Sequence, residues 1–495
     1  MTHSGIRPDK LKALIVAATI AAATLSCRNG ASAAKGTPAT TLRVGLSLGN
    51  VSLRNPTQGI RQIAQNITTE GLARTGEDGR MEPQLADRWR LESRGQTIVI
   101  DLKPGVKFHD GSVVDATALA GILPSAIRNL AGPIADKIES VKAVSANQIE
   151  VHFQHPSPLM LETLEASITK PGPNVSTGPF VPSATSPNEW VANTSYHLGR
   201  PTIDAITAST FPSVRSAWAE LLRNNIDMLY EVGSDALDSL ENSTNVAVFT
   251  FTRRYQYVLI FDSRSSALSK NVRRAINMAL DRSQLVQSAL NGHGVPSSGP
   301  VWPKYWAIDA NAPTFSYEPR QAAALMKGNR VHLKALMAAD PLYERVALEL
   351  KRQLAAIGVD IDWTTLPPDE MGRVEREGSY DAVLTDMVSG PTMLRLFVMW
   401  DSKGPMHIVG RGNPTIDTAI DRIVDATNDD EYRSAVRDIE EAFVEDPPAA
   451  FLNWSQRARA VSRRFTVPQP EPGRDVIGTM RLWIPNNEQR VASRN

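Results

Sequence analysis

Gly45-Leu46-Ser47-Leu48-Gly49 has the spacing of a nucleophile elbow, in which a strand delivers a serine hydroxyl at a tight turn for acyl transfer. Such an elbow must run straight into a helix. Here Asn50-Val51-Ser52-Leu53-Arg54-Asn55-Pro56 reads as loop, and the serine sits on the first strand of the folded region. Hydrolysis through Ser47 is therefore a remote alternative. Small residues after a first strand serve as well where backbone approaches a ligand. His152 and His155 lie three apart on extended chain, so they face opposite ways and suit a surface better than a metal. Met387 and Met393 read as core. No glycine-rich phosphate cradle is present, and the sequence points to neither cofactor nor metal.

The chain has 495 residues, too many for one compact core, so two or three lobes are expected. Lys plus Arg and Asp plus Glu number 53 each, which leaves no global field for nucleic acid or an anionic membrane. There is no basic stripe or nucleic-acid module either. Arg7, Lys10 and Lys12 precede the apolar run Ala13–Leu25, which is short for a membrane span and has the form of an export signal. Without residues 1–26, which hold those three cations and Asp9, the formal charge is −2.

Cys27 is the single cysteine and follows the apolar run directly. It cannot form an internal disulfide. Thr24-Leu25-Ser26-Cys27 looks like a lipobox, with Thr24 in place of the usual leucine, so lipidation of Cys27 is expected. The competing reading is cleavage at Ala31-Ser32-Ala33, which discards it. The small, polar stretch Asn29–Thr41 suits a tether.

The elements behind these residues alternate between strand and helix. Leu42–Leu46 reads as a first strand and Ile60–Ala73 as a helix. Thr97–Leu102 is strand-like, Pro104-Gly105 a turn, Val106–Phe108 a second short strand, and Asp110-Gly111 a tight turn. Asp115 is placed to cap a helix from Ala116. Further strands are expected at Gln148–Phe153, Val258–Phe261, Val359–Trp363, Tyr380–Leu384 and Ala449–Trp454. Helices are expected at Ser213–Asn225, Val272–Arg282, Leu342–Ile357 and Asp429–Phe443.

Five ordered motifs add identity to this pattern. Gln84-Leu85-Ala86-Asp87-Arg88-Trp89, then Leu102-Lys103-Pro104-Gly105-Val106-Lys107-Phe108-His109-Asp110-Gly111, resembles the signature P-x-L-A-x-x-W, strand, L-(R/K)-x-G-V-x-F-x-D-G of bacterial extracellular solute-binding protein family 5. These are the substrate-binding proteins of peptide and nickel ABC transporters. Ser176-Thr177-Gly178-Pro179-Phe180 and Tyr196-His197-Leu198-Gly199-Arg200-Pro201 resemble its G-T-G-P-(Y/F) and Y-W-x-G-x-P elements, with Ser176 for glycine and His197 for tryptophan. Asn225-Ile226-Asp227 resembles G-x-(I/V)-D, and Val272–Arg282 resembles V-R-x-A-I-x-x-A-(I/L)-D-R.

The resemblance implies an α/β protein: a two-lobed periplasmic-binding-protein fold of class II, large peptide-binding type, with an extra subdomain in the first lobe. The expected division is a signal peptide at 1–26, a tether at 27–41, and a first lobe at 42–265 with its subdomain near 80–175. The second lobe would span 266–455, and 456–495 would return to the first. The implied function is capture of a peptide or peptide-like solute between the lobes and delivery to ABC permease subunits, without catalysis. A nickel chelate or another non-peptide solute is the alternative. Ser47, Asn50, Tyr257, Trp302, Asp386, Ser389 and Trp400 are the candidate ligand contacts, and Trp306 is a further loop candidate for the cleft. Around Asp386 the family commonly carries an aspartate for the ligand's α-ammonium, a contact worth ~1.5–3 kcal/mol. Here Gly390-Pro391 stands where Asp-Pro is usual, and Asp386 is one position out of register, so a structural role for it is an equal reading. The protein is expected outside the cytoplasm, as a monomer, held at the membrane if Cys27 is acylated.

Overall fold

The computed structural model describes residues 40–47, 56–172, 175–233, 237, 243–404, 413–470 and 475–486. Cys27, Asn50 and the export segment lie outside them. Strand β1 (Thr41–Ser47) turns Leu42, Val44 and Leu46 into one core, and the helix Pro56–Thr68 packs Ile63 and Ile67 onto it. The chain then departs to build the subdomain. A hairpin of β2 (Ala73–Thr75) and β3 (Met81–Pro83) leads into β4 (Ala86–Glu92), β5 (Thr97–Leu102), β6 (Ile138–Ser145) and β7 (Gln148–Phe153). The last four form an antiparallel sheet in the order β4–β5–β7–β6. Asp115 caps the helix Ala116–Ala131 by accepting from the Ala118 N–H, as its position suggests.

The second short strand expected at Val106–Phe108 does not pair with Thr97–Leu102. Strand β5 is already paired on both edges by β4 and β7, which leaves only a bridge between Lys107 and Val113. The Asp110-Gly111 turn is present: Gly111 has φ +84°, and the Asp110 carboxylate accepts from the Ser112 N–H at 3.0 Å.

Strands β8 (Phe180–Pro182), β9 (Glu189–Ala192), β10 (Ala205–Phe211) and β11 (Met228–Val232) return to the first lobe, where β1 pairs in parallel with both β10 and β11. The helix Val214–Leu222 makes the β10-to-β11 crossover, started by a Ser213–Ser216 capping box. Then comes β12 (Val246–Phe261), 16 residues long, or ~50 Å at the usual rise. After β13 (Gly294–Pro296), β14 (Val331–Ala338), β15 (Val359–Leu366) and β16 (Ala382–Val388), the 14-residue β17 (Ala449–Ser462) runs back antiparallel to β12. One sheet results, β15–β14–β16–β12–β17–β11–β1–β10–β9–β8, with β13 paired to β17.

Alternation along the two long strands makes the second lobe a three-layer sandwich. Tyr257, Leu259, Phe261, Ala450 and Leu452 face one core, shared with the helices Lys270–Ala279, Arg282–Leu290 and Pro341–Ala355. Val258, Ile260, Ala449 and Phe451 face the other. That second core is shared by the helices Met393–Trp400, Pro414–Asp425 and Asp429–Glu445 and by the subdomain.

The turn between β2 and β3 fastens this seam. The Trp302 indole donates to the Glu77 carbonyl at 2.9 Å, the Trp306 N–H to the Asp78 carbonyl at 2.9 Å, and Lys304 pairs with Glu77. Arg80 lies 4.3 Å over the Trp306 ring. Gly79, at φ +82°, packs so closely that a Cβ would fall 2.5 Å from the Tyr305 ring.

Glu162 lies in the same seam, fully buried at the N-terminus of the helix Met393–Trp400. Its carboxyl accepts from the Leu394 N–H at 2.7 Å, the Met393 N–H at 3.3 Å and the Tyr305 hydroxyl at 3.0 Å. Burial outweighs these bonds and pushes its pKa up to about 7. Burial, with repulsion from Asp309, takes Glu440 to about 7 as well. Both folded values exceed the unfolded value near 4.5, so their contribution is complete below pH ~4.5 and is lost as pH rises through about 7. Unfolding free energy is therefore expected to fall by up to ~3 kcal/mol per group between pH 5 and pH 8. Chemical denaturation across that range should show the decline, flattened in a Glu162→Gln, Glu440→Gln variant.

Candidate functional site

The long strands carry charges within otherwise uncharged segments. In β12 the break is Arg253-Arg254, and in β17 it is Arg457 and Arg459. The β12–β17 register slips between Thr252 and Gln256 and again between Tyr257 and Val258. These irregularities fall where β12 passes between the parts of the sheet that pair with β11 and β16 through its neighbours. A bulge weakens the ladder and bends the strand locally.

Buried charges must be paired, and here they pair across four strands. Arg457 Nε donates to Glu231 of β11 at 3.0 Å, and Arg253 Nη1 stands 3.8 Å from the same carboxylate. Arg253 also reaches Asp386 of β16 at 3.3 Å, and the Tyr343 hydroxyl donates to the other Asp386 oxygen at 3.1 Å. The Asp386 N–H donates back to the Tyr343 hydroxyl at 2.8 Å. Arg457 Nη2 donates to the Tyr257 hydroxyl at 2.6 Å, and Arg253 lies 3.8 Å over the Tyr255 ring. Burial would raise the Glu231 carboxyl, but the guanidiniums of Arg253, Arg457 and Arg459 outweigh it and hold it at about 2. Burial takes the Tyr257 phenol up to about 12. Two cations thus face two carboxylates in a charge-balanced floor between the lobes.

Next to this cluster the structure places four buried side-chain atoms without hydrogen-bond partners among the described residues: Gln256 Oε1, Asn453 Oδ1, Trp454 Nε1 and Ser455 Oγ. Each such group costs ~1–3 kcal/mol when left unpaired. Against them packs the turn after β16, with a cis Gly390-Pro391 bond. A Cβ on Gly390 would lie 3.0 Å from the Trp454 ring.

The structure scatters the residues singled out from sequence. Asp386 and Tyr257 belong to the floor cluster, and both Asp386 oxygens already have protein partners. Ser389 lies beside it, its N–H donating to the Arg254 carbonyl at 3.0 Å. Ser47 ends β1, 4% exposed, with a hydroxyl that has no partner among the described residues, and the next described helix starts only at Pro56. Trp302 closes the seam with the subdomain and meets Trp454 edge-to-face at 4.7 Å. The loop position read for Trp400 is corrected: it ends the helix Met393–Trp400 and packs edge-to-face on Phe443 at 5.5 Å. Glu231, Arg253, Arg457 and Tyr343 were not singled out. The available signal was the run of cations inside long β-forming segments.

Among the described residues, the group able to offer three metal-binding side-chain atoms together is His332, Asp360 and Asp362. It is exposed on the edge pair β14–β15, away from the floor. No helix among the described residues is long and apolar enough to cross a membrane.

Residues 80–406 match the family model of bacterial extracellular solute-binding proteins, family 5. The chain is 22% identical to the glutathione-binding protein GsiB of Pectobacterium atrosepticum, over 86% of this chain and 90% of that one. It is likewise 22% identical to the oligopeptide-binding protein AppA of Bacillus subtilis, over 85% and 87% respectively. The crystal structure of NikZ from Campylobacter jejuni in complex with Ni(L-His) superposes with a TM-score of 0.76 at 19% identity, over 90% of this chain and all of that one.

Proposed function

The chain belongs to the bacterial extracellular solute-binding proteins of family 5, and we propose that it captures a peptide or peptide-like solute between its lobes for delivery to an ABC permease. The observation that carries this reading is the floor where β12 and β17 cross. Paired charges of both signs meet there, at the bulged stretch, with two amide oxygens, an indole N–H and a hydroxyl that have no partner among the described residues. A ligand with amide donors and acceptors and charged ends suits such a surface. The relatives named for glutathione and oligopeptides support the same class. Closure follows to the extent that the ligand binds the closed arrangement better than the open one. In this reading the first lobe is 42–265 with its subdomain, the second is 266–455, and Ser389, Asp386 and Ser47 border the ligand.

A nickel chelate is the second reading, and the structural likeness to NikZ favours it. Thermal-shift screening of the exported domain against di- to pentapeptides, sugars and nickel–histidine decides between them. Peptides are expected to raise the melting temperature. A rise with nickel–histidine alone overturns the peptide assignment. Ser47 has no catalytic role in this account, so Ser47→Ala should leave any background ester hydrolysis unchanged.

The proposal extends to the cell surface: Cys27 carries the lipid that holds the protein outside the cytoplasm, as a monomer, near its permease. Mass spectrometry of the membrane-extracted protein is expected to find an acylated Cys27 at the N-terminus. An N-terminus beyond residue 33 would contradict this.

A further inference from the structure

We propose that the cleft between the first lobe and the subdomain is a second binding site, for a small zwitterion of the amino-acid class. The cleft encloses about 710 Å³, within the usual size range of small-molecule sites. Its walls come mostly from the first lobe around Glu70, Tyr196–Leu198 and Gly478–Leu482 and from the subdomain around Arg74 and Lys103, with Arg395 of the helix Met393–Trp400 at one side. None of the floor charges Glu231, Arg253, Asp386 or Arg457 lines it.

Several charges in the cleft are satisfied by the protein. Glu165 stands between Arg254 and Arg395, and Asp475 takes Arg459. Three groups are left with unused capacity. Glu70 is 5% exposed, and its Oε1 takes the Tyr196 hydroxyl at 2.9 Å and His197 Nε2 at 3.1 Å, while its Oε2 has no partner among the described residues. Lys103 and Arg481 form no ion pair among the described residues; Arg481 spends one N–H on the Leu198 carbonyl at 3.2 Å. A buried carboxylate oxygen without a donor favours an ammonium, and two cations without anions favour a carboxylate. A solute carrying both groups matches both kinds of unused capacity in this one cleft. His197 stands where the resemblance expects tryptophan, so the side chain that orients Glu70 is a feature of this chain rather than of the motif.

The test is calorimetric titration of the full exported chain with each of the twenty free amino acids, repeated on Lys103→Gln and Arg481→Gln. Both side chains are partly exposed, so these variants are expected to fold. At least one amino acid should bind the parent with submillimolar affinity and bind at least 10-fold more weakly to both variants. Peptide affinity in the main cleft should not change. Absence of binding by every amino acid overturns the proposal. Binding that persists in both variants places the amino acid in the main cleft and overturns it too. Acetate binding as tightly as the best amino acid, and unaffected by Glu70→Gln, rejects the zwitterion class.

Discussion

Replacing Arg457 with methionine is expected to lower the unfolding free energy by ~3–5 kcal/mol, the usual effect of removing one partner from a buried ion pair. The loss is asymmetric. Methionine fills much of the arginine's apolar volume, so packing is largely kept, but Glu231 remains buried without its hydrogen-bonded cation, facing Arg253 at 3.8 Å and the more distant Arg459. The Tyr257 hydroxyl, 2% exposed as a residue, loses its 2.6 Å donor. Adding Glu231→Gln removes the stranded charge, so the double variant should be more stable than Arg457→Met alone. Guanidinium unfolding of the four members of this cycle measures the coupling. A single-variant loss below ~1 kcal/mol would mean that water reaches the floor and the ion pair behaves as an exposed one.

The second large effect concerns binding. Gly79→Ala is expected to weaken affinity for the peptide ligand by ~5–150-fold, which corresponds to the ~1–3 kcal/mol typical of an overpacked contact. The added Cβ would lie 2.5–2.6 Å from the Tyr305 ring and the Pro391 carbonyl, and Tyr305 is buried with its hydroxyl held by Glu162, so the ring cannot yield. The wedge acts inside the core that the subdomain and the second lobe share, so it shifts the two parts on which the proposed closure depends. Part of any effect comes from placing alanine at φ +82°. Gly105→Ala separates that part: it sits at φ +76° with nothing within 4 Å of its added Cβ. Calorimetry should therefore find affinity reduced in Gly79→Ala and nearly unchanged in Gly105→Ala. Equal losses in the two would show that the seam does not report on closure.

The family was legible because its marks are turns and caps whose residues are chosen by backbone geometry. Asp110-Gly111 and the Asp115 cap are read locally and form as expected. The partner of β5 was not legible, since pairing with β4 and β7 is decided by tertiary register and not by the short segment that follows it in sequence. The length of β12 was also missed. Its first half, Val246–Thr252, alternates at Phe249-Thr250-Phe251-Thr252, but only Val246 is buried there, with Val248 and Phe249 partly so, and it lacks the continuous apolar run that marks Val258–Phe261. For Asp386 a ligand carboxylate and a structural role were equal readings; on β16 it is bonded to Arg253 and Tyr343, an arrangement that needs residues more than 40 positions away. Long-range charge pairing leaves one local trace, a cation inside an otherwise apolar strand. Arg457 and Arg253 both show it.

Small-angle X-ray scattering of the exported domain during titration with a pool of tri- to pentapeptides tests the central claim most directly. A receptor that folds its lobes over a peptide about the β12–β17 crossing should show a saturable fall in radius of gyration as peptide is added. A profile unchanged by peptides but contracted by nickel–histidine would contradict the peptide reading, and one unchanged by every solute would contradict closure itself.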